Sequence, residues 1–461
     1  MSIDRGAAIV ARLDRLPPTR YHWVLILLIS LGGLLEFYEL SLTAYISPGL
    51  TRSAVFHSGS EGLLGMSDQA TFAFATFFGL FVGTSCLGAL ADRLGRRTMF
   101  AAVTLWYGPA TFLIAFQNTA LGVDVWRFVA AIGLGVELVT VDAYLSELMP
   151  RQIRGRSYAF AIGVMQVGVP IAALLGWLLV PLDPFGFAGW RWMLVLGAVA
   201  SLLTWVLRAY LPESPRWLLQ HGRLEAAERV TSALERRVEA EHGPLPLPQP
   251  VVPEIGAEER SSFAELWRPP YRGRTLMLSA FQFCQTIGFY GFGNWLPALV
   301  AQQGFSVTRS LFYSVLITAV APIAPMFWML VADRVERKWQ IVAAAAGTAI
   351  LGMLFMAQAD AFWVITLGIL IVFSNSLLGY ANHAYGAELF PTRIRARAVG
   401  FVYSWSRLST AFTSLMIGYL LQHFGASAVF TFIAAAMLGV IVSIGVFGPR
   451  TRNRTLEEIS R

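Results

Sequence analysis

Two carboxylates, Glu36 and Glu39, stand in the middle of an apolar run from residue 23 to 46. A charge at the centre of a membrane-spanning helix costs roughly 2.5 to 3.5 kcal/mol on insertion scales, so such residues usually do chemistry or bind something. Residues three apart share a helix face, and the spacing predicts that both acids point at one polar focus. Two guanidiniums, Arg127 and Arg407, are embedded in apolar runs as well. A buried carboxyl beside an arginine can take up or release a proton, because burial disfavours its charge and the guanidinium favours it; moving the arginine is then the switch. A buried arginine can instead grip a ligand carboxylate through two parallel hydrogen bonds.

The elements that must position these groups follow from composition. Of 461 residues, 56% are hydrophobic and only 14% charged, with a mean hydropathy of +0.58, whereas soluble domains carry about a quarter charged residues. Apolar windows of about 20 residues, the length that spans a bilayer, recur at 23–46, 69–90, 98–117, 122–146, 157–180, 190–210, 274–300, 308–332, 339–358, 361–386, 397–420 and 426–448. The expectation is an all-α membrane protein with 12 transmembrane helices. With both termini cytoplasmic, the Lys and Arg residues, including Arg208 to Arg274 of the central segment, fall on the inner side except Arg52, Arg127, Arg191, Arg309 and Arg407. That asymmetry sets orientation and explains the net charge of +7 without nucleic acid. No cleaved signal peptide is read at the start, and Cys86 and Cys284, both in apolar runs, give no disulfide framework.

The chain divides into a cytoplasmic segment 1–22, a bundle 23–210, a cytoplasmic loop 211–273, a second bundle 274–448 and a cytoplasmic tail 449–461. The loop joins an amphipathic stretch, with Leu224, Ala227, Val230 and Leu234 at helical spacing, to the proline-dense GPLPLPQPVVP connector. ADRLGRR around Asp92 returns as ADRVERK around Asp333, and ELMPRQIRGR around Glu147 as ELFPTRIRAR around Glu388, both at an offset of 241 residues. One offset for two motifs predicts two homologous six-helix bundles. Asp92, with Arg93 and Arg96, fits a gate whose acid complements the dipole at the start of helix 11. Asp333, and the pairs Glu147 with Arg154 and Glu388 with Arg395, extend that ion-pair network.

Depth follows from the rise of 1.5 Å per residue. Glu39 lies about 10 Å from the outer end of helix 1 and Arg127 about 7 to 8 Å below the same surface, so they can meet. Arg407 lies about 15 Å into helix 11, near the midplane. Its repeat mate is Gln166, and an asymmetric charge at symmetry-related places points to a ligand contact. Tyr38, Gln285, Tyr290 and Asn382 are further polar candidates, alongside Gln282, Asn375 and His383; most such residues are interhelical glue worth about 0.6 kcal/mol each. Glu137 and Asp142 are left without a role.

GALADRLGRR (88–97) resembles the signature of the major facilitator superfamily. RFVAAIGLGVE (127–137), ELMPRQIRGR (147–156) and LPESPRWLL (211–219) resemble the branch holding sugar porters, organic anion and cation transporters, and bacterial niacin and aromatic-acid symporters. The resemblance implies transport by alternating access, with Glu39 and Arg127 matching the proton-coupling acid and arginine of sugar porters. It also implies that Arg407, after Ser406, matches an arginine that holds the substrate anion in organic anion transporters. Glu36-Phe37-Tyr38-Glu39 stands where aromatic-acid symporters carry two aspartates around a glycine; here both acids are Glu and Phe37 replaces the small residue.

The resulting expectation is proton-coupled uptake of a small organic anion, a mono- or aromatic carboxylate, with Glu39, Arg127 and Glu36 in proton coupling. Arg407, Gln166, Tyr38, Gln285, Tyr290 and Asn382 are expected at the substrate. A proton-coupled drug or metabolite antiporter or an uncoupled uniporter, a sugar-type substrate included, and more remotely a nutrient sensor on the same scaffold, are the alternatives. No GxxxxGK[ST] phosphate loop and no HExxH pair is present, which argues against an ATP-driven pump or a zinc enzyme. The expected partners are substrate, protons and the lipid bilayer of a bacterial inner membrane, with no metal, no cofactor and a functional monomer.

Overall fold

A computed structural model describes residues 2–57, 65–87, 93–150, 152–248, 263–331, 335–390 and 392–449. Every regular element among them is helical. The first half contains α1 (Ser2–Asp14), α2 (Arg20–Tyr45), α3 (Asp68–Val82), α4 (Arg96–Ile114), α5 (Ala120–Leu148), α6 (Arg154–Gln166), α7 (Gly168–Leu179) and α8 (Gly189–Arg208). Next come α9 (Pro215–Gln220) and α10 (Leu224–His242). The second half contains α11 (Tyr271–Gly293), α12 (Val307–Thr318), α13 (Ala324–Val331), α14 (Arg337–Met356), α15 (Ala361–Glu388) and α16 (Thr392–Phe447). Seven helical stretches among the described residues are long and apolar enough to cross a membrane.

Four expected spans differ in detail. The window 157–180 is divided into α6 and α7 at Val167, and 308–332 into α12 and α13 by a turn after Thr318. The windows 397–420 and 426–448 are both inside α16, whose direction changes at Gly425 with φ 74°, a conformation suited to glycine. Side-chain caps fix several starts: Thr119 accepts from the Gly122 N–H at α5, and Asp360 from Phe362 and Trp363 at α15.

The second half packs around a buried cluster that includes Phe281, Phe292, Phe355, Phe430 and Met437. The first half has its main cluster around Tyr45, Phe72, Trp190 and Met193. The halves meet where α3 packs on α16, α7 on α12 and α6 on α13. At the first of these, a Cβ on Gly418 would lie 2.3 Å from the Ala70 Cβ, so the close approach requires glycine.

The helix α1 packs on the central segment. Arg12 grips the Glu235 carboxylate of α10 from Nε at 3.0 Å and Nη2 at 2.5 Å, Arg15 reaches it at 2.7 Å, and Asp14 pairs with Arg216 of α9 at 2.7 Å. Ile9 packs against Trp217, Leu218 and Ala227, while Leu13 and Leu16 join Leu25, Ile26 and Leu234. The strap thereby ties α9 and α10 to the start of α2.

Candidate functional site

On α2, Glu39 is 1% exposed and Arg127 of α5 is fully buried. Arg127 Nη1 donates to Glu39 Oε2 at 3.0 Å, Nη2 donates to the Glu39 carbonyl, and Nε donates to Thr76 Oγ1 at 3.0 Å. Thr111 of α4 adds a hydrogen bond to Glu39 Oε2 at 3.1 Å, and the guanidinium lies 5.7 Å from the Phe72 ring centroid. A proton on Glu39 removes the charge attraction from such a pair, leaving Arg127 its hydrogen bonds to the Glu39 carbonyl and Thr76.

Glu36 does not share that site. It lines a central cavity of about 160 Å³ between the halves, which Glu39 does not line. The two acids are three residues apart, yet one is held by α4 and α5 while the other faces α11 and α16, so the expected single polar focus is corrected to two places. Arg407 reaches the same cavity from α16. It is 5% exposed, its Nη1 donates to the Tyr290 hydroxyl at 3.0 Å, and it lies 5.2 Å from the Tyr403 ring centroid. That is its one hydrogen bond among the described residues, and Glu36, on the same cavity wall, acts on it electrostatically.

Gln166, Gln285, Tyr290 and Asn382 also line this cavity. Asn382 is partly committed, since Gln282 Nε2 donates to its Oδ1 at 2.9 Å. A smaller space of about 100 Å³ continues from it and shares Phe37, Gln166, Phe289, Tyr290 and Asn375. Tyr38 is the exception among the six expected substrate residues. Its ring turns to α8, and its hydroxyl donates to the Met193 carbonyl at 2.8 Å, so it lines neither space. Aromatic rings that the sequence pattern did not single out, Tyr158, Phe289, Tyr380 and Tyr403, complete the lining.

A second buried ion pair was not anticipated. Arg208, counted from the sequence among the basic residues of the inner side, is 2% exposed and donates to Glu137 Oε1 of α5. Its Nη1 also donates to the Phe100 carbonyl at 3.1 Å and to Thr104, and its Cζ lies 4.2 Å from the Phe100 ring centroid. A Cβ on Gly32 of α2 would lie 1.4 Å from Arg208 Nη2, so the pair occupies a slot that only glycine leaves open. Arg208 closes an apolar run beside a charged segment, and its position alone reads as surface; Glu137, unassigned in mid-helix, was the signal for it.

Arg96 and Glu147 of the expected gate are brought together, with Nη2 to Oε1 at 2.9 Å. Glu147 was expected beside Arg154; it is Arg96 that holds it, and the Arg154 side chain lies outside the described residues. Glu213 of the LPESPRWLL motif accepts from the Arg96 and Arg97 backbone N–H groups at 2.9 and 3.2 Å, capping α4 with the charge its dipole favours. Arg93 is exposed. Asp92 and Asp333 lie outside the described residues, as do the side chains of Glu388, Arg395, Asp142 and His383.

Two helical halves around a cavity with charged walls define a membrane transporter of the major facilitator fold. Residues 25–461 match the family described as sugar (and other) transporter, and the chain belongs to that family. It is 30% identical over 446 residues to the Bacillus subtilis putative metabolite transport protein YyaJ, covering 96% of each chain. The niacin transporter NiaP of Acinetobacter baylyi is 27% identical over 98% of this chain and 99% of its own. The inward-open xylose transporter XylE from E. coli shares the fold, with a TM-score of 0.71 and 21% identity over 95% of this chain and 99% of that one. The protein is a transporter rather than an enzyme, and a multi-pass protein of the bacterial inner membrane.

Proposed function

We propose that the chain couples inward proton flow to uptake of a small organic anion, a mono- or aromatic carboxylate. The observation that carries this reading is Arg407, buried at the cavity wall with one hydrogen bond, to Tyr290, among the described residues. A guanidinium in that setting matches a carboxylate with paired, charge-assisted hydrogen bonds, and the surrounding rings suit an aromatic body. A relative named for niacin, itself an aromatic carboxylate, supports the choice. Glu39 and Arg127 supply the proton site: a proton on Glu39 weakens its hold on Arg127, and deprotonation restores the pair. The ion pair of Arg96 with Glu147 serves as part of the inner gate.

The amides Gln166, Gln285, Asn375 and Asn382 on the cavity wall favour a second reading, a sugar-type substrate. A thermal-shift screen of aromatic and short-chain carboxylates, each against its neutral amide, separates the two. The acid is expected to stabilise the wild type and its amide not, with the difference lost in Arg407→Gln; amides that bind as well as acids overturn the anion reading. With the acid so found, Glu39→Gln in proteoliposomes is expected to lose accumulation driven by a pH gradient while keeping substrate exchange. Undiminished accumulation in that variant removes Glu39 from coupling.

A further inference from the structure

Glu36 has no part in the cycle above, yet it is a fully buried carboxylate in the wall of the cavity that Arg407 reaches. Of the described residues that line this space, Glu36 and Arg407 are the charged ones. The acid comes from α2 of the first half and the guanidinium from α16 of the second, so the two poles belong to different bundles. Each has an aromatic ring beside it on its own helix, Phe37 at one pole and Tyr403 at the other, and Phe289 and Tyr290 of α11 add two more. The amides are more committed. Asn382 and Gln282 exchange hydrogen bonds at 2.9 and 3.4 Å, and Asn375 accepts from the Thr348 hydroxyl at 3.1 Å.

The balance of charge sets what a ligand must bring. Acid and guanidinium share one space of about 160 Å³ and compensate each other across it. A ligand carboxylate that settles on Arg407 claims the positive charge for itself, and Glu36 is then a second anion in the same apolar surroundings. A buried charge that loses its compensation is strongly destabilising. An O–H or N–H on the ligand offsets that loss, because a hydrogen bond to an ionised carboxylate is about twice as strong as a neutral one. An acid without such a donor satisfies one pole and leaves the other worse off.

We propose that Glu36 is a specificity-determining contact, and that the substrate is a flat carboxylic acid with a neutral O–H or N–H donor at the end away from its carboxylate. This rests on the anion reading of Arg407. The carboxylate lies on Arg407, the donor gives its hydrogen bond to Glu36, and the rings of Phe37, Phe289, Tyr290 and Tyr403 enclose the body between them. The ligand remains a monoanion throughout. Because the poles belong to different halves, it ties α2 to α16, whereas an acid without the donor holds to the second half alone.

The test is calorimetric titration of the full-length protein in lipid nanodiscs with meta- and para-hydroxybenzoate, each against the fluorobenzoate of the same pattern. Fluorine is close to hydroxyl in size and donates no hydrogen bond. Wild type is expected to bind a hydroxy acid about tenfold more tightly than its fluoro partner, the scale of a hydrogen bond to a charged group. In Glu36→Gln the preference is expected to fall to about threefold or less, and Arg407→Gln is expected to lose both acids. If hydroxy and fluoro acids bind wild type alike and both are lost in Arg407→Gln, the proposal is overturned and the anion reading stands. A preference that persists in Glu36→Gln gives the donor to another group and overturns it too. Affinity that rises for both kinds of acid on acidification, and no longer does so in Glu36→Gln, makes Glu36 a proton site instead of a substrate contact. Where none of these acids binds, the proposal falls, and the screen of acids against amides decides the anion reading by itself. Glu36→Asp, which withdraws the charge by one methylene, serves where the Gln variant does not fold: the preference is expected to shrink, and an unchanged one overturns the proposal.

Discussion

Gly32 shows how narrowly single atoms decide this interior. A Cβ there would meet Arg208 Nη2 at 1.4 Å and Glu137 Oε1 at 2.6 Å, so Gly32→Ala must drive the pair apart. Breaking a buried ion pair costs on the order of 3 kcal/mol. A clear fall in the thermal unfolding midpoint is therefore expected, against little change for Gly400→Ala, where a Cβ meets nothing within 4 Å. Equal midpoints for the two variants would show that Arg208 has another place to go. At this scale the sequence was informative where charge contradicted its surroundings, as at Glu39, Arg127 and Arg407. It was silent where a charge ended an apolar run, as at Arg208. It misled at Tyr38, because a residue two positions from the cavity-lining Glu36 lies on another face of the helix.

Among elements, α1 and α10 make a pair whose strength depends on acidity. Burial works against ionisation of Glu235, but the hydrogen bonds from Arg12 and Arg15 outweigh it and hold the carboxyl below its ordinary value. The stabilisation is therefore present above the ordinary carboxylate value, about 4.3, and is lost as pH falls through the lowered one. Residues 2–14 should lose hydrogen-exchange protection in that acidic window, and Glu235→Gln should loosen them at neutral pH by about 1 kcal/mol, the scale of a partly exposed pair. Unchanged protection in the variant would leave the apolar contacts of Ile9, Leu13 and Leu16 as the whole of the attachment. The amphipathic spacing of α10 was legible in the sequence. Its partner was not, because α1 is short and charged. Nor could hydropathy find the breaks at Val167 and after Thr318, where the apolar run continues through a change of backbone.

Across the whole molecule, two motifs at one offset are the sequence's argument for two halves, and its membrane character is legible in composition. Which side chains reach the cavity depends on helix rotation, which spacing alone leaves open; hence Phe289, Tyr380 and Tyr403 emerged only in three dimensions. The placement of Glu39 outside that cavity has an electrical meaning. On the proposed coupling, proton and anion would be carried at different places in one body, so their charges would add only through the count of each per cycle. If one proton taken up at Glu39 travels with one monovalent anion held by Arg407, the loaded carrier moves no net charge. Membrane voltage, worth about 2.3 kcal/mol per elementary charge for each 100 mV, would then do no work on uptake. Proteoliposomes clamped with potassium and valinomycin should accumulate the anion according to the pH difference and ignore the imposed potential. Uptake that climbs with inside-negative voltage would mean that a second proton rides with every anion, and the transporter would then draw on both parts of the proton-motive force.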